Sequence, residues 1–279
     1  LLVTIDFPPM VGGVATYWSN LCKYLPKDDF VVLAQDFTEA LDFDIKQDYL
    51  IYRHNLISKS KWVWPKWFPL LSHTFKMIRR EKIEKIIVAH VLPTGTVALL
   101  ARWFLRVPYI VSVHGLDVNL TQISAWKKKL TMFIMKNAEK VIANSEYTKS
   151  LLVKYNYCSE AKVKIVYPCP NEAASHISER LKQKLIDEYD LADKKIMLTV
   201  GRLIKRKGQD KVLQALPQIL QKEPHALYIM VGKGEQFEKL KQKAVDLGVS
   251  DKVLFFFDVT DEELPVFYDL AQVFIMPCR

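Results

Sequence analysis

The chain has 279 residues, of which 50% are hydrophobic and 25% charged, a composition that excludes a disordered polymer and a collagen-like fibre. Its formal charge is +9, spread unevenly: residues 1–172 hold 23 basic and 15 acidic side chains, and residues 173–279 hold 17 and 16. At roughly 100–200 residues per domain, this length predicts two domains, a basic one followed by a nearly neutral one.

Short apolar runs alternate with longer amphipathic stretches along the chain. Strands are predicted over 1–5, 30–34, 49–53, 86–90, 109–114, 141–144 and 164–167, and in a second series over 196–200, 227–231, 253–257 and 273–276. Several are apolar at every position, as parallel strands buried on both faces are. Helical patterns fall between them at 13–25, 67–80, 123–137, 209–220, 237–247 and 261–270, the last opening on a capping-box spacing of Thr260 and Glu263. The alternation predicts an α/β protein with parallel sheets covered by helices. The pattern is weakest over 168–195, where Pro168, Pro170 and Asn171 oppose both helix and central strand and a polar helix candidate follows near 177–189. A domain junction is expected there, giving domains 1–170 and 171–279. The chain starts at Leu1 and ends at Arg279 just after a strand, so it is expected to be cut at both ends.

Cys22, Cys158, Cys169 and Cys278 form neither a disulfide framework nor a zinc ligand set, which fits a reducing, cytoplasmic compartment. The longest nearly uncharged run, 86–101, is short of the roughly 20 residues a membrane span needs.

Four loops could carry chemistry. Gly12 and Gly13 follow the first strand and open a helix, where free N–H groups favour an anion; a tight turn is the plainer alternative. Gly201 to Gly208 frames Arg202, Lys205, Arg206 and Lys207 at a strand end, the place where open α/β sheets bind ligands. Arg chelates phosphate bidentately and Lys adds a mobile charge, though a solvated basic loop would read the same way. Gly232-Lys233-Gly234 begins a dinucleotide-type turn that Phe237 does not complete. His114 ends the strand 109–114 beside Gly115. Asp42-Phe43-Asp44 is a literal DxD in an acidic stretch and is expected to be a solvated loop.

Taken in order, these motifs resemble the retaining glycosyltransferases of family GT4, along essentially all 279 residues. The resemblance rests on Phe7-Pro8-Pro9 with Gly12-Gly13-Val14, His114-Gly115, and Ala143 to Thr148. It continues in Val200-Gly201-Arg202-Leu203 with Lys207-Gly208, Val231 to Glu235, and Met276-Pro277-Cys278-Arg279. It implies a GT-B architecture, two Rossmann-like domains facing across a cleft, with the second domain incomplete. It implies transfer of a sugar from a nucleotide diphosphate to an acceptor hydroxyl with retention, the first domain taking the acceptor and the second the donor. Arg202 and Lys207 would then grip the diphosphate and stabilise the leaving group. Gly12 and Gly13 would offer N–H groups to the same phosphates, His114 would hydrogen-bond the transferring sugar, and Gly232, Val259 and Asp261 would face the nucleotide. No metal and no cofactor are expected. Family members carry two glutamates eight residues apart beyond the proline–arginine stretch, and the chain ends before them. The usual Pro-Asn-Gly junction here reads Pro170-Asn171-Glu172, and Phe257 stands where a glycine is usual. A 279-residue fragment is therefore expected to be a poor catalyst.

Residues 53–85 carry nine basic and two acidic side chains, with Lys59, Lys61, Trp62, Trp64, Lys66 and Trp67 interleaved. Such a pattern suits an interfacial helix on anionic lipid, single-stranded nucleic acid, or an ordinary helix with a solvated basic edge. The resemblance ranks lipid first, because many of those enzymes glycosylate lipid-linked acceptors at the inner membrane face, and no nucleic acid is expected as a partner. The expected partners are a nucleotide sugar, a glycan or lipid-linked acceptor of the cell envelope, and an anionic membrane surface. Two alternatives stay open: a sugar-nucleotide epimerase or hydrolase of the same architecture, and a non-enzymatic basic module for membrane or nucleic acid.

Overall fold

The computed structural model describes residues 1–169 and 177–278. The chain forms two compact units, Leu1–Cys169 and Pro170–Arg279. Pro170, Asn171 and Glu172 of the expected junction, and Arg279, lie outside the described residues.

The first unit runs β1 (Leu2–Thr4), α1 (Gly13–Cys22), β2 (Val31–Gln35), α2 (Ala40–Asp44), β3 (Leu50–His54) and α3 (Phe68–Arg80). It continues β4 (Ile86–Val88), α4 (Thr96–Leu105), β5 (Tyr109–Val113), α5 (Leu116–Thr121), α6 (Ala125–Asn137), β6 (Lys140–Ala143), α7 (Glu146–Lys154) and β7 (Val163–Ile165). The seven strands are parallel in the order β3-β2-β1-β4-β5-β6-β7. Alternate side chains feed two cores. Leu2, Val32 and Ala34 pack with Tyr17, Trp18 and Cys22 of α1, while Val3, Leu33, Val88 and Val111 pack with residues of α3, α4 and α6. Burial on both faces is why these strands are apolar throughout. The order reverses between β1 and β4, so their following loops diverge and leave a crevice at the carboxyl edge.

The second unit runs α8 (Glu179–Tyr189), β8 (Lys195–Val200), α9 (Gln209–Lys222), β9 (Ala226–Val231), α10 (Phe237–Asp246), β10 (Val253–Phe256), α11 (Leu264–Leu270) and β11 (Val273–Phe274). Its parallel sheet has the order β10-β9-β8-β11. Met197, Tyr228 and Met230 face α9 and α10, whereas Ile196, Leu198, Leu227 and Ile229 face α8 and α11. The capping box closes, with Thr260 N donating to Glu263 Oε2 at 2.9 Å and Glu263 N to Thr260 Oγ1 at 3.2 Å. It caps a turn ahead of α11, which starts at Leu264.

Two expectations change. The Trp-rich stretch is not an interfacial helix: residues 59–67 form a looped segment and α3 begins at Phe68. Pro65 disfavours helical backbone at Trp64. Ser58 N instead bonds Lys66 O at 2.7 Å, and Lys66 Nζ closes on Ser60 O. Asp42-Phe43-Asp44 is not a solvated loop either. It ends α2, and Asp44 receives Arg53 bidentately, Nη2 to Oδ1 at 2.7 Å and Nε to Oδ2 at 3.0 Å. Arg53 thus leaves the surface charge of 53–85 and sits inside, its side chain 10% exposed.

Candidate functional site

In the second unit the loops that leave β8, β9 and β11 are locked together. Gly201 N extends the ladder to Val231 O (2.8 Å), Leu203 N bonds Lys233 O (2.8 Å), and Gln236 N bonds Leu203 O (3.0 Å). Buried Gln209 donates from Nε2 to Arg202 O at 3.1 Å, and Leu203 fills the core. The glycines make this contact possible. A Cβ on Gly232 (φ +133) would overlap the Gly201 carbonyl, one on Gly234 the Leu203 backbone, and one on Gly208 (φ +76) the Pro277 carbonyl. The Gly232–Gly234 pair is therefore explained by loop-on-loop packing.

That clamp fixes the backbone on which Arg202 and Lys207 stand. Arg202 is exposed, and the Lys207 side chain folds back so that Nζ lies 3.9 Å from where a Cβ of Gly201 would stand. Among the described residues neither side chain has an acidic partner. Two cations without acidic partners over the carboxyl end of a parallel strand have the chemistry to attract a strong anion. The next loop lies beside it, with Lys233 paired to Asp258. Val259 packs with residues of α8 and α11 and lines a cleft of about 220 Å³ with Tyr189, Phe256 and Phe257; Asp261 is exposed.

In the first unit the crevice between β1 and β4 collects a second group. Gly12 and Gly13 meet nothing within 4 Å on the side where a Cβ would stand, and Gly12 has φ 176, extended backbone open to any residue. The chain bends at Gly12 without left-handed backbone, and the pair leaves open space before the N–H groups of α1. The preceding loop is held by Arg53, whose Nη2 donates to Pro8 O. His114 caps β5 with Ser112 Oγ 3.1 Å from Nε2, its own N–H bonded to Asp117 Oδ2 at 3.0 Å and the Tyr17 ring edge-on at 5.0 Å. Burial, with help from His90 and against the pull of Asp117, lowers its pKa to about 4. His114 is thus a neutral hydrogen-bonding ring at pH 7. Asp6 and His90 join this group, and neither stood out in the sequence: a lone aspartate after a strand and a histidine in an apolar run carry no spacing signal.

The membrane-contact candidates separate. Trp62 is 96% exposed and Trp64 87%, with Lys59, Lys61 and Lys66 exposed beside them, but Trp67 packs on the core.

Two parallel-sheet α/β units, one with a cationic glycine-framed loop at its carboxyl edge, agree with the GT-B architecture. The Glycosyltransferase Family 4 profile matches residues 11–172, and that of the glycosyl transferases group 1 matches residues 182–279. The chain belongs to glycosyltransferase family 4 and is a glycosyltransferase. A GDP-mannose-dependent alpha-(1-6)-phosphatidylinositol monomannoside mannosyltransferase of Mycolicibacterium smegmatis is 28% identical over 284 residues, covering 100% of this chain and 72% of that protein. Alpha-monoglucosyldiacylglycerol synthase of Streptococcus pneumoniae is 24% identical, covering 98% of this chain and 64% of that protein. Among solved structures, Anabaena HepE in complex with UDP and glucose superposes with a TM-score of 0.82 at 17% identity, covering 99% of this chain and 74% of that one. Among the described residues no helix is long and apolar enough to cross a membrane.

Proposed function

We propose that the enzyme this chain belongs to transfers a sugar from a nucleoside diphosphate to a hydroxyl of a glycolipid or glycan acceptor, with retention of configuration. The observation that carries this reading is the clamped Arg202 loop, where Arg202 and Lys207 stand without acidic partners over the end of β8. A diphosphate leaving group gains negative charge as the glycosidic bond breaks, and preorganised cations favour that state over the ground state. In this reading the two side chains supply the neutralisation a divalent ion would otherwise give, so no metal or cofactor is called for. Gly232, Val259 and Asp261 lie on successive loops at the same edge and take the nucleoside. The first unit takes the acceptor, with His114 as a neutral hydrogen-bond partner for the sugar and the α1 N-terminus behind Gly12 and Gly13 open to an anion.

A nucleotide-sugar donor agrees with the mycobacterial relative, named for GDP-mannose, and with HepE, seen with UDP. A lipid-linked acceptor agrees with the names of both curated relatives. The exposed Trp62 and Trp64 among Lys59, Lys61 and Lys66 suit contact with an anionic membrane surface, where each cation contributes about 1 kcal/mol. On this reading the protein works as a peripheral enzyme at the cytoplasmic face of a membrane.

The test is incubation with sugar-labelled GDP-mannose or UDP-glucose and micelles holding a phosphatidylinositol mannoside or a glucosyldiacylglycerol. Label in an α-linked lipid product supports the proposal. Free labelled sugar or an epimerised donor, with no lipid product, would move the assignment to a hydrolase or epimerase.

A further inference from the structure

The crevice at the reversal of the first sheet holds a carboxylate that the reading above does not use. Asp6 stands just past β1, and its backbone is fixed by Thr4: Asp6 N donates to Thr4 Oγ1 at 3.1 Å, and the same hydroxyl donates to Asp6 O at 2.8 Å. Thr4 is fully buried, so this turn is part of the core and sets where the carboxylate points. Just past the neighbouring β4 lies His90, 7% exposed, its own carbonyl held by Thr94 Oγ1 at 2.7 Å. His90 Nε2 is buried without a hydrogen-bond partner. The carboxylate oxygen Asp6 Oδ2 is 3.5 Å away and makes no hydrogen bond to it. The His114 ring lies 6.5 Å from that of His90, and Asp6 is near enough to His114 to pull on its protonation. One carboxylate, a third exposed, is therefore backed by two imidazoles anchored on β4 and β5.

A buried ring nitrogen without a partner is costly, and it persists here within 3.5 Å of a carboxylate that could accept from it. Catalytic and binding contacts of this kind are commonly long in the empty protein and tighten around ligand. The ligand chemistry follows from the charge. A carboxylate repels phosphate, and no cluster of three or more metal-ligating side chains exists among the described residues. A neutral hydroxyl donates to a carboxylate in a charge-assisted bond. The Asp6 side chain is a third exposed, so solvent and a small polyol can reach the carboxylate from the open side of the crevice.

We propose that Asp6 is the hydroxyl-binding group of the first unit, that it takes a neutral polyol such as the sugar headgroup of an acceptor, and that His90 is its positioning residue. This assignment rests on the first unit being the acceptor side. The test is nitrogen NMR of the full chain labelled with ¹⁵N-histidine, titrated with methyl α-D-mannopyranoside and, in a separate arm, with GDP or UDP. The expected result is a saturable shift of the His90 ring nitrogens with the mannoside, while the His54 and His73 signals stay in place. Asp6→Asn should weaken mannoside binding about tenfold or more. His90→Ala should weaken it too, His90→Gln should restore part of the loss, and nucleotide affinity should stay constant throughout. An unmoved His90 signal in the wild-type chain, or wild-type mannoside affinity in Asp6→Asn, would overturn the assignment. A wild-type chain that ignores both nucleotides would overturn the donor reading instead, and that result appears only in the second arm.

Discussion

Replacing Gly208 by alanine should damage the second unit, whereas the same change at Gly13 should not. At Gly208 the backbone has φ +76, and an added Cβ would overlap the Pro277 carbonyl oxygen with the carbonyl carbon at 2.9 Å and Pro277 Cγ at 3.2 Å. The left-handed backbone alone costs a non-glycine residue about 1–2 kcal/mol. Moving a packed backbone segment out of the way adds about 1–3 kcal/mol, and the reduced freedom of the unfolded chain returns about 0.4–1 kcal/mol. The net expectation is a loss of about 1–5 kcal/mol, and a carbonyl, unlike a flexible side-chain end, has no alternative rotamer with which to reduce it. Gly13 meets nothing within 4 Å and is the first residue of α1, where alanine is at least as favourable as glycine. All six tryptophans lie in the first unit, at 18, 62, 64, 67, 103 and 126. Urea unfolding followed by tryptophan fluorescence therefore reports that unit, and far-UV circular dichroism reports both. Gly208→Ala should leave the fluorescence transition in place, move the dichroism transition to lower urea, and weaken nucleoside diphosphate binding by displacing Lys207. Gly13→Ala should unfold like the wild type by both probes. Coincident unfolding of Gly208→Ala and wild type, with equal nucleotide affinity, would refute the loop-clamp argument.

Other expectations follow from single contacts. Arg53→Ala should destabilise the first unit by about 3–5 kcal/mol in urea, since it strands a mostly buried Asp44 and frees the Pro8 loop, whereas Arg53→Met with Asp44→Leu should recover most of the loss. His114 has its pKa lowered to about 4 from 6.5, so the unfolded chain takes up its proton first as pH falls. Its contribution is therefore unchanged above pH 6.5 and is lost between about 6.5 and 4, to an extent of about 3 kcal/mol. Urea midpoints at pH 7 and pH 4.5 should differ less in His114→Gln than in the wild type. Thr260→Ala removes one side of the capping box and should cost about 1 kcal/mol by the same measurement.

The parts of the fold that could be read from the residues are those set by local pattern. Every strand expected from an apolar run is present, most plainly the central ones such as β9, which is buried at every position and therefore apolar throughout. The Arg202 loop was also legible, since its glycines and cations are contiguous. What escaped depends on contacts between distant residues. Asp44 looked like one more acid of a solvated stretch, and only the register of β3 brings Arg53 to it. Gly232 and Gly234 read as an imperfect nucleotide fingerprint, yet their need for glycine comes from the neighbouring β8 loop. Trp62, Trp64 and Trp67 looked alike in the sequence, but the chain direction at Pro65 sends the first two outward and the third into the core. Asp6 and His90 are 84 residues apart and meet because β1 pairs with β4.

The central claim is that Arg202 and Lys207 hold a nucleoside diphosphate at the carboxyl edge of the second sheet. Isothermal titration calorimetry of the chain with GDP, UDP and ADP tests it most directly, repeated on Arg202→Ala and Lys207→Ala. The account predicts that at least one of the three binds, and that each substitution weakens the tightest about tenfold or more while leaving the urea transition unchanged. Binding of equal strength in both variants, or no binding of any of the three by the wild-type chain, would contradict it.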